Sequence, residues 1–164
     1  MNYADFLEKL DSRLEKYFDE QRTHICCRVG CSSCCERGDY PLSQIELEYI
    51  MQGYVSLENE QKLAVQENVK NMQKGGACPF LVNRKCSIYH YRPIICRVHG
   101  LAYICGENTV KVPFCVNEGK NFSKVFKDGE IISEPIKENL DTPQILAKYD
   151  FGEIRNLYDW IKND

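Results

Sequence analysis

The protein has 164 residues, of which 43% are hydrophobic and 27% charged, with a formal charge of −3. That length suits one domain with a real core, and the composition is that of a soluble globular chain. A net-acidic chain has no bulk electrostatic attraction for nucleic acid, so nucleic-acid binding is not expected. No apolar run approaches the roughly 18 residues of a membrane span, so no membrane partner is expected either. The first ten residues place Asp5 and Glu8 inside an apolar pattern. They lack the basic start and continuous apolar stretch of a secretory signal, which makes a cytoplasmic location the expectation.

Residues 3 to 20 read as an amphipathic helix, with Tyr3, Phe6, Leu7, Leu10, Leu14, Tyr17 and Phe18 recurring at helical spacing. Residues 21 to 40 show no periodicity and carry the first cysteine cluster, Cys26-Cys27-Arg28-Val29-Gly30-Cys31-Ser32-Ser33-Cys34-Cys35. This segment is expected to be irregular on its own. Residues 41 to 53 read as a helix: Ser43 and Glu46 form a capping box behind Pro41, and Gly53 supplies the stop. A surface helix follows from about Leu57 to Lys74, ended by Gly75-Gly76.

From residue 77 the pattern changes. Phe80-Leu81-Val82 and Lys85-Cys86-Ser87-Ile88-Tyr89 flank Asn83-Arg84 as a short hairpin, whose open end brings Cys78 and Cys86 together. Pro93 suits the first turn of a short helix carrying Cys96 and Arg97. A second hairpin is expected over residues 101 to 116, around Gly106-Glu107-Asn108. An Asp128-Gly129 turn precedes Ile131-Ile132. Thr142 is expected to cap a helix begun by Pro143, and a last helix is expected from about Phe151 to Lys162. There is no internal repeat. The pattern implies an α+β fold: a mainly helical single domain over residues 1 to 164, with short β-hairpins around a cysteine-ligated metal site.

Ten cysteines are the outlier. Disulfide frameworks spread their cysteines so that each bridge closes a useful loop, whereas here five crowd between positions 26 and 35. With no export signal, metal is favoured over disulfides. Thiolate is a strong soft ligand, and four thiolates enclose one tetrahedral ion or one cluster. The candidate ligands are Cys27, Cys31, Cys34, Cys35, Cys78, Cys86, Cys96 and Cys115, enough for two four-thiol sites or one polynuclear centre. Cys26 and Cys105 are spare. Adjacent side chains usually diverge, so Cys34 and Cys35 point to two metals or a polynuclear site. Thiolates around a metal leave net negative charge, which Arg92 and Arg97 on either side of Cys96 are placed to offset as cofactor-binding groups. His90 and His99 read as surface or supporting residues, and His24 more so.

At these residues the chain resembles the zinc- or iron-chelating CxxCxxCC family, also called the YkgJ-type cysteine cluster family. Cys78-Pro79-Phe80-Leu81, Cys86-Ser87-Ile88-Tyr89, Arg92-Pro93 and Cys96-Arg97 match its downstream motif closely. Upstream, three residues separate Cys27 from Cys31 where the family has two, so Cys26 and Cys27 both remain candidates for the first ligand position. The resemblance covers about residues 26 to 116 and implies metal chelation. A related cysteine cluster occurs in flagellin lysine methylases, but no glycine-rich cofactor loop supports methyl transfer here. Two functions follow as expectations. The first is an iron-sulfur cluster protein with a redox or electron-transfer role, or with a cluster-dependent activity as an oxidoreductase, served by a redox or protein partner. The second is a structural zinc module that mediates macromolecular interaction.

Overall fold

The computed structural model describes residues 2–162. In chain order the elements are helix α1 (Tyr3–Glu20), α2 (Ser33–Glu36), strand β1 (Pro41–Ser43), α3 (Gln44–Val55), α4 (Asn59–Asn71), β2 (Leu81–Val82), β3 (Lys85–Cys86), α5 (Ile94–Val98), β4 (Tyr103–Cys105), β5 (Thr109–Lys111), β6 (Phe126–Lys127), β7 (Glu130–Ile131), α6 (Thr142–Tyr149), β8 (Ile154–Asn156) and α7 (Leu157–Lys162). The class is α+β, as the sequence implies. The strands pair antiparallel two by two: β1 with β8, β2 with β3, β4 with β5 and β6 with β7. The chain divides into two compact units. One takes the chain up to Arg28 and again from Arg97 to Ile145; the other takes Val29–Cys96 and the chain from Leu146 onward.

In the first unit, α1 starts where the Asn2 side chain accepts a hydrogen bond from the Asp5 amide at 2.9 Å. It buries Tyr3, Phe6, Leu7, Leu10 and Leu14, the predicted apolar face. Buried Gln21 then bonds both backbone groups of Ala102, donating to its carbonyl at 2.9 Å and accepting from its amide at 3.1 Å. The carboxamide thus gives the buried Ala102 amide its partner, while the Ala102 carbonyl also accepts from the Ile136 amide at 2.8 Å. Ala102, Val116 and Phe122 form a small core with Ile25, Val112, Val125, Phe126 and Ile131 around it. The Asp128-Gly129 signal closes the β6–β7 hairpin, with both residues at positive φ.

The second unit packs Tyr40, Leu42, Ile50, Val65, Phe80, Ile88, Leu157 and Trp160 into one core. The capping box forms as the sequence predicts, with the Ser43 hydroxyl accepting from the Glu46 amide and the Glu46 carboxylate from the Ser43 amide. The Asn83-Arg84 turn also forms. Both residues sit at positive φ and place Leu81 opposite Cys86 and Val82 opposite Lys85.

Four local expectations are corrected. Gly53 does not end its helix, which continues to Val55; a Cβ at Gly53 would come within 2.7 Å of the Tyr91 ring, so the glycine lets that ring pack on α3. Residues 151 to 162 are not one helix. Ile154–Asn156 pairs with Pro41–Ser43, and only Leu157–Lys162 is helical. Trp160 secures that end by donating its indole N–H to the Leu42 carbonyl at 3.1 Å. The first cysteine cluster is not wholly irregular, because Ser33–Glu36 forms one α turn. Finally, Thr142 is already the first residue of α6, and its buried hydroxyl finds no partner.

Candidate metal centre

Five of the predicted thiols gather in the second unit. The α2 turn carries Cys34 and Cys35, whose sulfurs lie 3.8 Å apart. The turn is set by Ser32, whose carbonyl accepts from the Cys35 amide at 2.8 Å and from the Glu36 amide at 3.1 Å. Two backbone bonds tie this segment to the downstream one. The Cys78 amide donates to the Cys35 carbonyl at 2.8 Å, and the Gly38 amide to the Gly75 carbonyl at 3.1 Å. Cys78 is therefore held beside Cys35 by main chain, independently of side-chain chemistry.

Cys78 and Cys86 sit at the open end of the β2–β3 hairpin and feel each other's charge. The Leu81 amide donates to the Cys78 carbonyl at 3.1 Å and closes the turn behind that thiol. The backbone at Phe80 and Leu81 lowers the Cys78 ionisation, and that at Ile88 lowers Cys86, which favours thiolate over thiol. Cys96 enters on α5, its amide bonded to the Pro93 carbonyl at 3.1 Å. Two residues before it, the Ile94 amide donates to Glu46 Oε1 at 2.8 Å. Fully buried Glu46 thus serves two helices: one oxygen closes the capping box of α3 and the other accepts from the start of α5. Sequence reasoning finds the capping box from the Ser43–Glu46 spacing. The reach to Ile94, 48 positions away, leaves no local signal.

The electrostatics match a thiol cluster without its metal. Burial pushes the Cys78 thiol up to about 12, against the opposing pull of the Phe80 and Leu81 amides. The Cys34 hydrogen bond, then burial, then the charges of Cys34, Cys96 and Cys78 raise Cys35 well above the ordinary thiol range. Burial raises Cys86, opposed by the Ile88 amide and by Arg92. Burial also raises Cys96, assisted by Cys78, Cys86 and Cys34 and again opposed by Arg92. The Arg92 guanidinium is fixed 3.7 Å over the Tyr89 ring, with Nε donating to the Tyr89 carbonyl at 3.0 Å. At neutral pH these thiols keep their protons, and a soft metal ion is the species that displaces them.

The donor set fits such a metal by its chemistry. These are soft sulfur donors held on short main-chain-fixed segments, with the positive charge of Arg92 near enough to favour thiolate at Cys86 and Cys96. The sulfurs share a neighbourhood without forming a closed coordination shell: among the described residues, no three His, Cys, Asp or Glu side chains already surround one ion position.

The other predicted residues are distributed as follows. Cys31 is in the same unit and half-buried. Cys27 and Cys115 belong to the first unit. Cys27 is exposed, with its sulfur 3.2 Å from the Asn121 amide nitrogen, and Cys115 is buried in the turn Phe114–Glu118. Spare Cys26 is exposed, its amide donating to Asn121 Oδ1 at 2.8 Å, and spare Cys105 takes a 3.4 Å contact from Gln144 Nε2. Arg97, also in the first unit, pairs with Asp11 at 2.5 Å. His90 is exposed, while the His99 ring packs tilted against Phe114 and the His24 ring against Phe122. A pocket of about 240 Å³, lined by Asn68, Asn71, Gln73 and Met72 among others, opens on Cys78.

One residue at the centre is absent from the sequence reading. Tyr40 is 7% exposed and belongs to the packed core against which Cys78 and Cys86 lie. Its hydroxyl has no hydrogen-bond partner. Burial raises its ionisation far above the ordinary phenol range, followed by the fields of Cys78, Cys35, Cys96 and Cys34. A tyrosine beside a proline gives no signal for such a place.

No helix among the described residues is long and apolar enough to cross a membrane. Comparison with curated proteins and with solved structures gave no match. One family model does match, CxxCxxCC, described as a putative zinc- or iron-chelating domain, over residues 26–121. That span holds every cysteine of the chain, both arginines that flank Cys96, and Tyr40. With more than half of its length under that model, and its thiols gathered as above, the chain is a metal-binding protein that belongs to the CxxCxxCC family of zinc- or iron-chelating domains.

Proposed function

We propose that the protein holds a polynuclear iron-sulfur centre and uses it in a redox or electron-transfer role, or in a cluster-dependent oxidoreductase activity, with a redox or protein partner. The observation that carries this reading is the thiol count in one unit. Cys34, Cys35, Cys78, Cys86 and Cys96 interact electrostatically, and Cys31 is close along the chain. One tetrahedral ion uses four sulfurs, so the surplus calls for more than one metal. Cys27 and Cys115 complete the proposed ligand set, with Cys26 as the other candidate for the first position. Arg92 and Arg97 are proposed to offset the negative charge of the bound thiolates.

A zinc reading has its own support. An ion with metal–sulfur bonds of about 2.3 Å in a tetrahedron keeps its sulfurs about 3.8 Å apart. The Cys34 and Cys35 sulfurs are 3.8 Å apart. Adjacency along the chain therefore does not stop both from binding one ion. A structural zinc module that mediates macromolecular interaction is the second reading.

Purification without oxygen, with iron, sulfide and zinc counted and the visible spectrum recorded, separates the two. A brown protein with iron and sulfide is expected. A colourless protein with tightly held zinc and no iron sinks the iron-sulfur reading in favour of the structural one. A protein that takes up neither metal would overturn both.

A further inference from the structure

The Tyr40 hydroxyl is a buried donor without a hydrogen-bond partner, and it lies within the field of Cys78, Cys35, Cys96 and Cys34. We propose that Tyr40 donates its O–H to the sulfur of a metal-bound cysteine, and that it thereby tunes the centre as a hydrogen-bonding residue and not as a ligand. This rests on the metal-centre reading above.

The argument starts from the cost of the free hydroxyl. Tyr40 is 93% buried by its 7% exposure, and its oxygen is unpartnered. Burying a hydroxyl without a partner is unfavourable, and native folds rarely tolerate it without a reason. The residue is also firmly placed. Its carbonyl accepts from the Leu157 amide at 2.9 Å, and its ring packs in the core with Phe80 and Ile88. The ring end is directed toward Gly38, where an added Cβ would lie 3.9 Å from the oxygen. Gly38 is bonded to Gly75 in the same pair of segments that joins Cys35 to Cys78. The hydroxyl is thus held against the seam where the two cysteine segments meet.

Metal binding changes what that seam offers. A neutral thiol is a weak acceptor. A metal-bound sulfur is a thiolate and accepts a charge-assisted hydrogen bond. No sulfur is within hydrogen-bond reach of the O–H in this structure, so the pair forms when a cysteine side chain turns onto metal and becomes a thiolate. Hydrogen bonds to ligand sulfurs are a main lever on the electronics of thiolate centres. Tyr40 carries its proton throughout, so no proton or electron transfer is involved.

Two consequences have opposite signs, which makes the idea testable. Tyr40→Phe removes a buried unpaired hydroxyl from the metal-free protein, so the metal-free variant unfolds at the same urea concentration as the parent or a higher one. The variant loses a hydrogen bond only in the loaded state, so its affinity for cobalt(II) falls, by about 10- to 100-fold for loss of a partner of this kind. The sulfur-to-cobalt charge-transfer band moves to longer wavelength, because an unbonded thiolate holds its electrons less tightly. Tyr103→Phe, a buried tyrosine of the first unit, serves as control and leaves band and affinity unchanged.

Cobalt uptake by the parent protein is read first. A parent that binds no cobalt overturns the metal-centre reading and this inference with it. A parent that binds, with Tyr40→Phe binding equally tightly and absorbing at the same wavelength, overturns the inference alone. Loss of cobalt stoichiometry in Tyr40→Phe, with the metal-free fold intact, would instead make Tyr40 an oxygen ligand and overturn the donor role.

Discussion

Glu46 is the side chain on which the downstream half of the centre depends, and its removal has a size that can be worked from the structure. The residue is fully buried. Oε2 accepts from the Ser43 amide at 2.9 Å and from the Ser43 hydroxyl at 3.2 Å, while Oε1 accepts from the Ile94 amide at 2.8 Å. Ser43 and Ile94 are themselves fully buried. Glu46→Ala therefore strands two main-chain donors away from water. Each such loss costs about 1–3 kcal/mol, so the variant should be destabilised by about 4 kcal/mol. For a domain of this size that lowers the melting temperature by on the order of 10 °C. Glu46→Gln keeps one accepting oxygen but turns an N–H toward the other donor, and should lose roughly half as much. The assay is urea unfolding of the reduced, metal-free protein, read as a change of midpoint at constant slope. Because the Ile94 amide begins the helix that carries Cys96, Glu46→Ala should also weaken cobalt(II) binding at temperatures where it remains folded. A loss below about 1 kcal/mol for Glu46→Ala, with cobalt affinity unchanged, would refute the reasoning.

Replacing Cys34, Cys86 or Cys96 with Ser should lower metal content and destabilise the loaded protein, because ligation is part of folding; Cys105→Ser should do neither. Unchanged metal content in all three variants would rule out the ligand set. The metal-free protein should also lose stability in alkali. Cys78 is raised to about 12, and Cys86 and Cys96 are raised as well, so the folded state holds more protons than the unfolded chain above the free-thiol value of about 8.5. Stability is then level below about pH 8.5 and falls as pH rises toward 12, and metal should abolish the fall. Urea midpoints at a series of alkaline pH values, with and without metal, check this. Arg92→Gln removes the cation that opposes the rise at Cys86 and Cys96, so metal uptake should move to higher pH, as read by cobalt absorbance.

Some of this was legible because the information is local. The α1 stripe, the Ser43–Glu46 box, and the Asn83-Arg84 and Asp128-Gly129 turns each depend on residues within a few positions, and each forms. What could not be read depends on partners far along the chain. Ile154, Leu157 and Ile161 suit a helix face, yet Ile154 is taken by β1, more than a hundred residues earlier, and pairs with Ser43. Gly53 is a good helix stop until Tyr91 needs the space beside it. Thr142 is a good cap by type, but the Ile145 amide bonds the Asp141 carbonyl and so begins the helix one residue earlier than the cap requires. The thiols are legible as a set because cysteine is rare and chemically distinct. Tyr40 is not, because one tyrosine among ten carries no mark of its surroundings.

The downstream motif has a physical form that explains why its residue types go together. Each of its three thiols lies two positions from a buried hydrophobe: Cys78 from Phe80, Cys86 from Ile88 and Cys96 from Ile94. Phe80 and Ile88 belong to the second unit's main core, and Ile95, beside Cys96, packs against it. In each case the hydrophobe is buried while the thiol is only partly buried, so the segment is anchored close to where its sulfur is presented. The apolar residues thus do the positioning that a short, irregular segment cannot do for itself, and the backbone at positions 80 and 88 favours thiolate at Cys78 and Cys86. Burial of the thiols themselves raises their ionisation and so works against thiolate, while backbone at Cys78 and Cys86 and Arg92 at Cys86 and Cys96 work for it. The balance favours protons until a metal ion is present. A site built this way keeps its sulfurs protonated and poorly nucleophilic until metal displaces those protons, so metal affinity should fall as pH falls.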